Sequence, residues 1–345
     1  MKKIIAVICI LVIAATSALA CFAESSESGE EIPKADVKAL TVLGDSISTG
    51  YGLEGYDSEG DNADIESYGN LVASYYGLTL GESYFNYAKN GATSADLLKK
   101  LENELSEEER ASIAKSDVII VTIGGNDLLG MLYPYMTEFL ELGENASFEA
   151  ITVKLLSMDE DSLKNFDKKA DAFYKSKEKE MSEAYKQTGK NITAISAELK
   201  AISPKAQIYI QSVYNPSNEL PQYKSLEILN DHILSKMINS LNIEIFSSAK
   251  EAGMYTVDIF SEFTGRKEAC TNIADLDIHP NKYGHSLIAD ALEHKIDNVY
   301  DNLNNKDEDD FSKGENTWLW FVVAAAVTVA AIPVVIFFVK KSSAS

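Results

Sequence analysis

Four short polar stretches hold the side chains of this chain best suited to chemistry. They are Gly44-Asp45-Ser46, Asn90-Gly91-Ala92-Thr93-Ser94, Gly124-Gly125-Asn126-Asp127 and Asp275-Leu276-Asp277-Ile278-His279-Pro280-Asn281. Together they supply a hydroxyl, an imidazole, carboxylates, a side-chain amide, and glycines that let a ligand approach the backbone closely. Acyl transfer needs such a set: a nucleophile, a base to take its proton, and donors for the developing oxyanion. Each stretch also has an ordinary structural use. Ser46 can cap a helix, Asn126-Asp127 can form a turn and cap, and His279-Pro280-Asn281 can open a helix with Pro in its first turn. Those uses, taken together, leave the order of the four stretches unexplained.

The elements that must position them are legible as apolar runs alternating with helical patterns. Ala39–Leu43, Tyr84–Ala88, Val118–Ile123, Gln207–Val213 and Met254–Phe260 read as strands. Ala95–Leu105, Lys179–Ile202, Leu226–Ala252 and Tyr283–Tyr300 read as helices. Apolar strands alternating with helices imply a parallel sheet of about five strands covered on both faces. In such sheets the ligand site lies at the carboxyl ends of the strands. The first three polar stretches directly follow the first three strands, and the fourth precedes the last helix. Residues 128–190 break the alternation and read as a helical insertion, either a lid or substrate wall over the carboxyl edge or a peripheral hairpin.

This ordered set resembles the SGNH hydrolases, also called GDSL esterases and lipases, across about 36–300. The resemblance implies a flavodoxin-like three-layer α/β/α domain. It also implies roles. Ser46, in the GDS motif, would be the nucleophile, and His279 the general base that later protonates the leaving alcohol. The oxyanion hole would be the Ser46 N–H, the Gly91 N–H and the Asn126 side chain. Asp45 would hold the turn.

One feature departs from the family pattern, in which the acid precedes the histidine by three residues. Leu276 stands there, with Asp277 two before His279 and Asp275 four before. Asp277 is the preferred orienting acid; Asp275 or the Leu276 carbonyl are the alternatives, the latter leaving a Ser–His dyad.

Other chemistries find less support. Ser112-Ile-Ala-Lys115 and Ser176-Lys-Glu-Lys179 match Ser-x-x-Lys, but no Ser-Asp-Asn or Lys-Thr-Gly accompanies them. The four His stand at 232, 279, 285 and 294. A hydrolytic zinc site needs about three ligands around an open position, and His285 reads instead as part of the start of the last helix. The expectation is therefore no metal and no cofactor. Tyr51, Tyr56, Tyr68, Tyr133 and Tyr135 read either as sugar-stacking platforms or as core.

Composition bounds the partners. The chain has 345 residues, 31 Lys+Arg and 53 Asp+Glu, for a net charge of −22. A polyanion is repelled by such a surface, so nucleic acid is not an expected partner. The Cys at 9, 21 and 270 leave essentially one thiol in the folded part, so neither a disulfide framework nor a Cys-based zinc site is possible there.

The ends suggest export. Lys2 and Lys3, the apolar run Ile4–Ala15 and Ala18-Leu19-Ala20 read as a signal peptide over 1–23, cut after Ala20 or Ala23. Residues 301–316 read as an acidic linker. Trp318–Val339 is an uncharged run of 22 residues, read as a transmembrane helix followed by a cytoplasmic tail at 340–345. The expectation is a surface-anchored serine ester hydrolase with an extracytoplasmic domain, acting on acyl or acetyl esters of carbohydrates or lipids. The alternatives are a non-catalytic surface module keeping the same fold, and a metal-dependent phosphodiesterase or phosphatase on a similar scaffold.

Overall fold

The computed structural model describes residues 32–143, 146, 148–216, 224–266, 270–273 and 277–312. Lys34–Asp297 forms one compact unit, and every feature of the site lies within it. Five strands build its sheet: β1 (Leu40–Gly44), β2 (Tyr84–Asn86), β3 (Val118–Thr122), β4 (Gln207–Gln211) and β5 (Tyr255–Val257). All neighbours are parallel, in the order β2-β1-β3-β4-β5. Every residue of β1 and β3 is buried, as expected for strands covered on both faces.

The order reverses between β1 and β3. The chain leaves β1 toward β2 on one side and leaves β3 toward β4 on the other. Right-handed crossovers then place the intervening helices on opposite faces and open a crevice at the carboxyl ends of β1 and β3. The register pairs Gly44 with Thr122 at that edge.

Eleven α-helices lie among the described residues. The first five are α1 (Ser46–Thr49), α2 (Tyr68–Tyr76), α3 (Ser94–Lys99), α4 (Glu107–Lys115) and α5 (Gly125–Phe139). Two lie in the region read as an insertion, α6 (Phe148–Leu156) and the 43-residue α7 (Glu160–Ile202). The others are α8 (Lys224–Leu229), α9 (Ser235–Glu251) and α10 (Ile259–Phe263), with a last helix α11 (Lys282–Ser312). Capping boxes define two starts, Thr93 with Asp96 and Ser106 with Glu109. The second half of α7 buries Met181, Tyr185, Thr188, Ile192, Ile195, Leu199 and Ile202. That spacing makes one helical face, and it packs along α9.

Several expectations need correction. The fifth strand ends at Val257, because the Asp258 carboxylate accepts from Ser261 N at 3.1 Å and caps α10. The helix expected from Lys179 begins at Glu160, so half of the insertion belongs to the crossover helix itself. The acidic stretch from 301 is helical through Ser312. It contains no Gly or Pro before that point, so each residue can add one more hydrogen bond to an existing helix. The transmembrane helix in the expected fold is not upheld: among the described residues no helix is long and apolar enough to cross a membrane. The run 318–339 that prompted it lies outside the described residues, as do 1–23 and 340–345.

Candidate active site

The first strand carries the site to the crevice. At Gly44 the backbone has φ +137°, and a Cβ there would lie 2.1 Å from the Thr122 carbonyl oxygen. That oxygen accepts from Asp45 N at 3.1 Å, so only glycine lets β1 close on β3 at this point. The chain then turns into α1. Asp45 caps it, accepting from Ile47 N at 3.0 Å, and Ser46 becomes its first residue. Backbone N–H groups in a first turn lack intrahelical partners and face whatever lies beyond the helix start.

His279 reaches the same point from a different loop. Its Nε2 lies 2.8 Å from Ser46 Oγ, and its Nδ1 lies 2.5 Å from Asp277 Oδ1. A carboxylate oxygen only accepts, so Nδ1 carries the ring proton and Nε2 is left to accept from the serine. Asp277 Oδ1 also accepts from His279 N at 3.1 Å. This is an Asx turn, and it explains how an acid only two residues away can orient the ring. The loop is held from outside as well. Asn272 N donates to His279 O at 2.9 Å, and the Tyr214 hydroxyl donates to Ile278 O at 2.8 Å. Of the two other orienting groups considered, Asp275 and Leu276 lie outside the described residues.

Gly91 and Asn126 line the same cleft as Ser46 and His279. Gly91 has φ +75°, with nothing within 4 Å of where a Cβ would stand, so its surroundings are open to an approaching atom. The Asn126 amide donates to Ala92 O at 3.0 Å. That bond fixes the side chain and leaves a second amide hydrogen. The cleft thus brings together all five residues picked out by type and order: a hydroxyl, an oriented imidazole, a carboxylate and two sources of N–H donors. It can host nucleophilic attack on an acyl group with stabilisation of an oxyanion.

Other residues supporting the site escaped the sequence reading. Ser48 Oγ is hydrogen-bonded to the Tyr68 hydroxyl at 2.6 Å, and that hydroxyl to Thr122 Oγ1 at 2.8 Å. This buried network ties α1 to β3 and α2. Asn86 Nδ2 adds a bond to Ser48 O at 2.8 Å. Asp127 accepts from Ser94 N, Ser94 Oγ and Thr188 Oγ1, linking α5, α3 and α7 beneath the cleft. Of the five tyrosines weighed as platforms, Tyr68 and Tyr135 are buried. Tyr51 is 43% exposed and packs on the His279 ring at 4.6 Å between centroids. Tyr56 accepts from Asn90 Nδ2 at 2.7 Å, and Tyr133 lines the cleft.

Burial shapes the charges here. Asp45 is pushed up to about 7, chiefly by burial and further by the nearby Asp127, against the opposing pull of the Ile47 N–H. His285 is fully buried and pushed down to about 3 by burial, with His279 adding to the effect. Its Nδ1 accepts from Tyr68 N at 3.1 Å, so it braces α2 against the last helix.

A nucleophile–imidazole–carboxylate line at the switch point of a doubly wound sheet is the arrangement of a serine-type hydrolase. The chain belongs to the GDSL-like lipase/acylhydrolase family, whose model matches residues 42–287, and it is an ester hydrolase. Over 292 residues it is 24% identical to the uncharacterized protein YpmR of Bacillus subtilis (strain 168), covering 83% of this chain and 92% of that protein. Among solved structures it is similar to the lipase Lip_vut3 from a goat rumen metagenome, with 19% identity and a TM-score of 0.48, over 74% of this chain and 96% of that one. It is also similar to phospholipase A1 from Streptomyces albidoflavus NA297, with 19% identity and a TM-score of 0.47, over 75% and 99% of the two chains.

Proposed function

We propose that the chain hydrolyses acyl or acetyl esters of carbohydrates or lipids through an acyl-Ser46 intermediate. Ser46 Oγ attacks the ester carbonyl carbon as its proton passes to His279 Nε2. The resulting oxyanion is met by the Ser46 N–H, the Gly91 N–H and the Asn126 amide. The intermediate collapses and the C–O bond to the alcohol breaks, with the alcohol oxygen taking the proton from His279. Water then gives a proton to His279 and attacks the acyl carbon, and release of the acid returns the proton to Ser46. Asp277 holds the imidazole in the productive tautomer and stabilises its charged form.

The observation that carries this reading is the Ser46–His279–Asp277 line, with its 2.8 Å and 2.5 Å contacts. The test is labelling with a fluorophosphonate probe alongside turnover of p-nitrophenyl acetate. Covalent modification of Ser46, with label and turnover both lost in Ser46→Ala, is the expected result. Label on another residue, or turnover that survives in Ser46→Ala, refutes the assignment. We also propose that the enzyme works outside the cytoplasm, on the basic start and apolar run of residues 1–23. Fractionation of cells expressing a C-terminally tagged chain tests this, and a wholly cytosolic product refutes it.

A further inference from the structure

Beside the Ser46 cleft lies an apolar cavity of about 170 Å³. The two share walls: Ile47, Gly125, Leu129, Tyr133, Tyr214 and Ile278 line both. Farther from the serine, the lining comes from α5 (Leu132, Met136), α6 (Ile151, Leu155), Leu229 of α8 and Ile238 of α9. No charged side chain lines it among the described residues. On another side the cleft shares Asn90 with a polar groove of about 610 Å³, which includes Asp61, Lys89 and Glu108. Asn90 is fixed there, accepting from Thr49 Oγ1 at 2.6 Å and donating to the Tyr56 hydroxyl at 2.7 Å.

The serine therefore sits between an apolar chamber and a polar groove. Water gains little in a space that offers it almost no hydrogen-bond partners, whereas each methylene moved there from water is favourable. We infer that the chamber receives the acyl chain of the substrate, and that the enzyme is selective for esters of a medium-length, unbranched fatty acyl group with a polar alcohol. The inference rests on the reading of Ser46 as nucleophile. A cavity of about 150 Å³ lined by Leu, Ile and Phe holds a six-carbon ring. The present chamber is slightly larger. With the carbonyl and α-carbon lying in the cleft, the preferred chain is about eight carbons. Helix α6, in the region the sequence marked as an insertion, is thereby a specificity wall.

The experiment is a p-nitrophenyl ester series from acetate to palmitate. We expect kcat/KM to rise about three- to fourfold per methylene up to about eight carbons and to stop rising beyond. Acetates of progressively longer alkyl alcohols should show no such rise. Leu132→Trp, at a half-buried position, should move the optimum to shorter chains, and Ile151→Ala should move it to longer ones. Opposite movements cannot come from general loss of structure. As a readout independent of turnover, octanoate should raise the melting temperature of Ser46→Ala and acetate should not. A flat acyl profile, a rise along the alcohol series instead, both variants shifting the same way, or no stabilisation by octanoate each overturns the inference. Stabilisation by octanoate with no Ser46-dependent hydrolysis upholds the chamber and refutes the nucleophile.

Discussion

Replacing Asp277 by Asn is the sharpest test of the site, because the structure separates what the carboxylate does into two parts. Its Oδ1 accepts from both the ring Nδ1 and the backbone N–H of His279. In Asp277→Asn the backbone N–H still selects the amide oxygen over the NH₂ group, so that oxygen stays facing the ring and the tautomer is retained. What disappears is the negative charge beside an imidazolium that forms only during reaction. An opposite charge at about 4 Å in a medium of effective dielectric about 20 is worth about 4 kcal/mol. The side chains of His279 and Asp277 are 17% and 31% exposed. Solvent screening then leaves about 2–3 kcal/mol, or a fall in kcat of about 30- to 200-fold. Asp277→Ala loses orientation as well as charge, and its fall should reach about 10³- to 10⁴-fold. Asp275→Asn should stay within about threefold of the parent. Steady-state turnover of a p-nitrophenyl ester measures all three, with melting temperatures confirming that each variant is folded. The reasoning is wrong if folded Asp277→Asn keeps a near-parental kcat, or if Asp275→Asn costs more than Asp277→Asn.

Two further outcomes follow from the buried turn before the serine. In Gly44→Ala the new Cβ meets the Thr122 carbonyl, at 2.1 Å before any relaxation, on a backbone with positive φ. Strain and overpacking together should cost about 3 kcal/mol or more, read as a drop in the urea midpoint, and turnover should fall further as Ser46 is displaced. A midpoint equal to the parent refutes the close approach. Asp45, held near 7 in the fold against 3.8 as its ordinary value, keeps its proton when the unfolded chain has released it. The folded state therefore binds more protons between about pH 4 and 7, and this residue's contribution to stability is lost as pH rises through that window. Asp45→Asn preserves the acceptor for Ile47 N and removes the titration. It should gain stability relative to the parent between pH 5 and pH 8, by about 2–3 kcal/mol, whereas an equal difference at both pH values contradicts the buried neutral acid. The comparison must be between variants, because His285, pushed down to about 3, contributes an opposite slope below its ordinary value.

Much of the fold could be read before any coordinates, and the particular elements show why. The central strands β1 and β3 are apolar runs buried on both faces, so hydrophobicity alone marks them, while the sheet-edge strands β2 and β5 are only partly buried; the strand ends shift by at most three residues. The fifth overran because a capping aspartate, Asp258, interrupts a run that is otherwise apolar. The first half of α7 falls in the stretch read as a helical insertion and not as part of the crossover helix from Lys179, because it buries little beyond Phe166 and Ala170 and its pattern carries almost no periodic signal. The Ser48–Tyr68–Thr122 network was missed because a buried hydroxyl pair has no spacing signature. Its members are 20 and 54 residues apart in the chain.

The identities of the reacting groups and their order along the chain belong to the sequence, since chemistry depends on residue type and a parallel sheet delivers every strand end to the same edge. Spacing could not choose between Asp275 and Asp277, because a loop's turn geometry depends on where the flanking backbone is anchored. Here those anchors are Asn272 and Tyr214, the latter brought from beyond β4. The chamber beside Ser46 was equally out of reach, since its wall is assembled from four helices whose apolar faces read individually as ordinary core. Whether such faces meet or leave a gap is settled by packing alone.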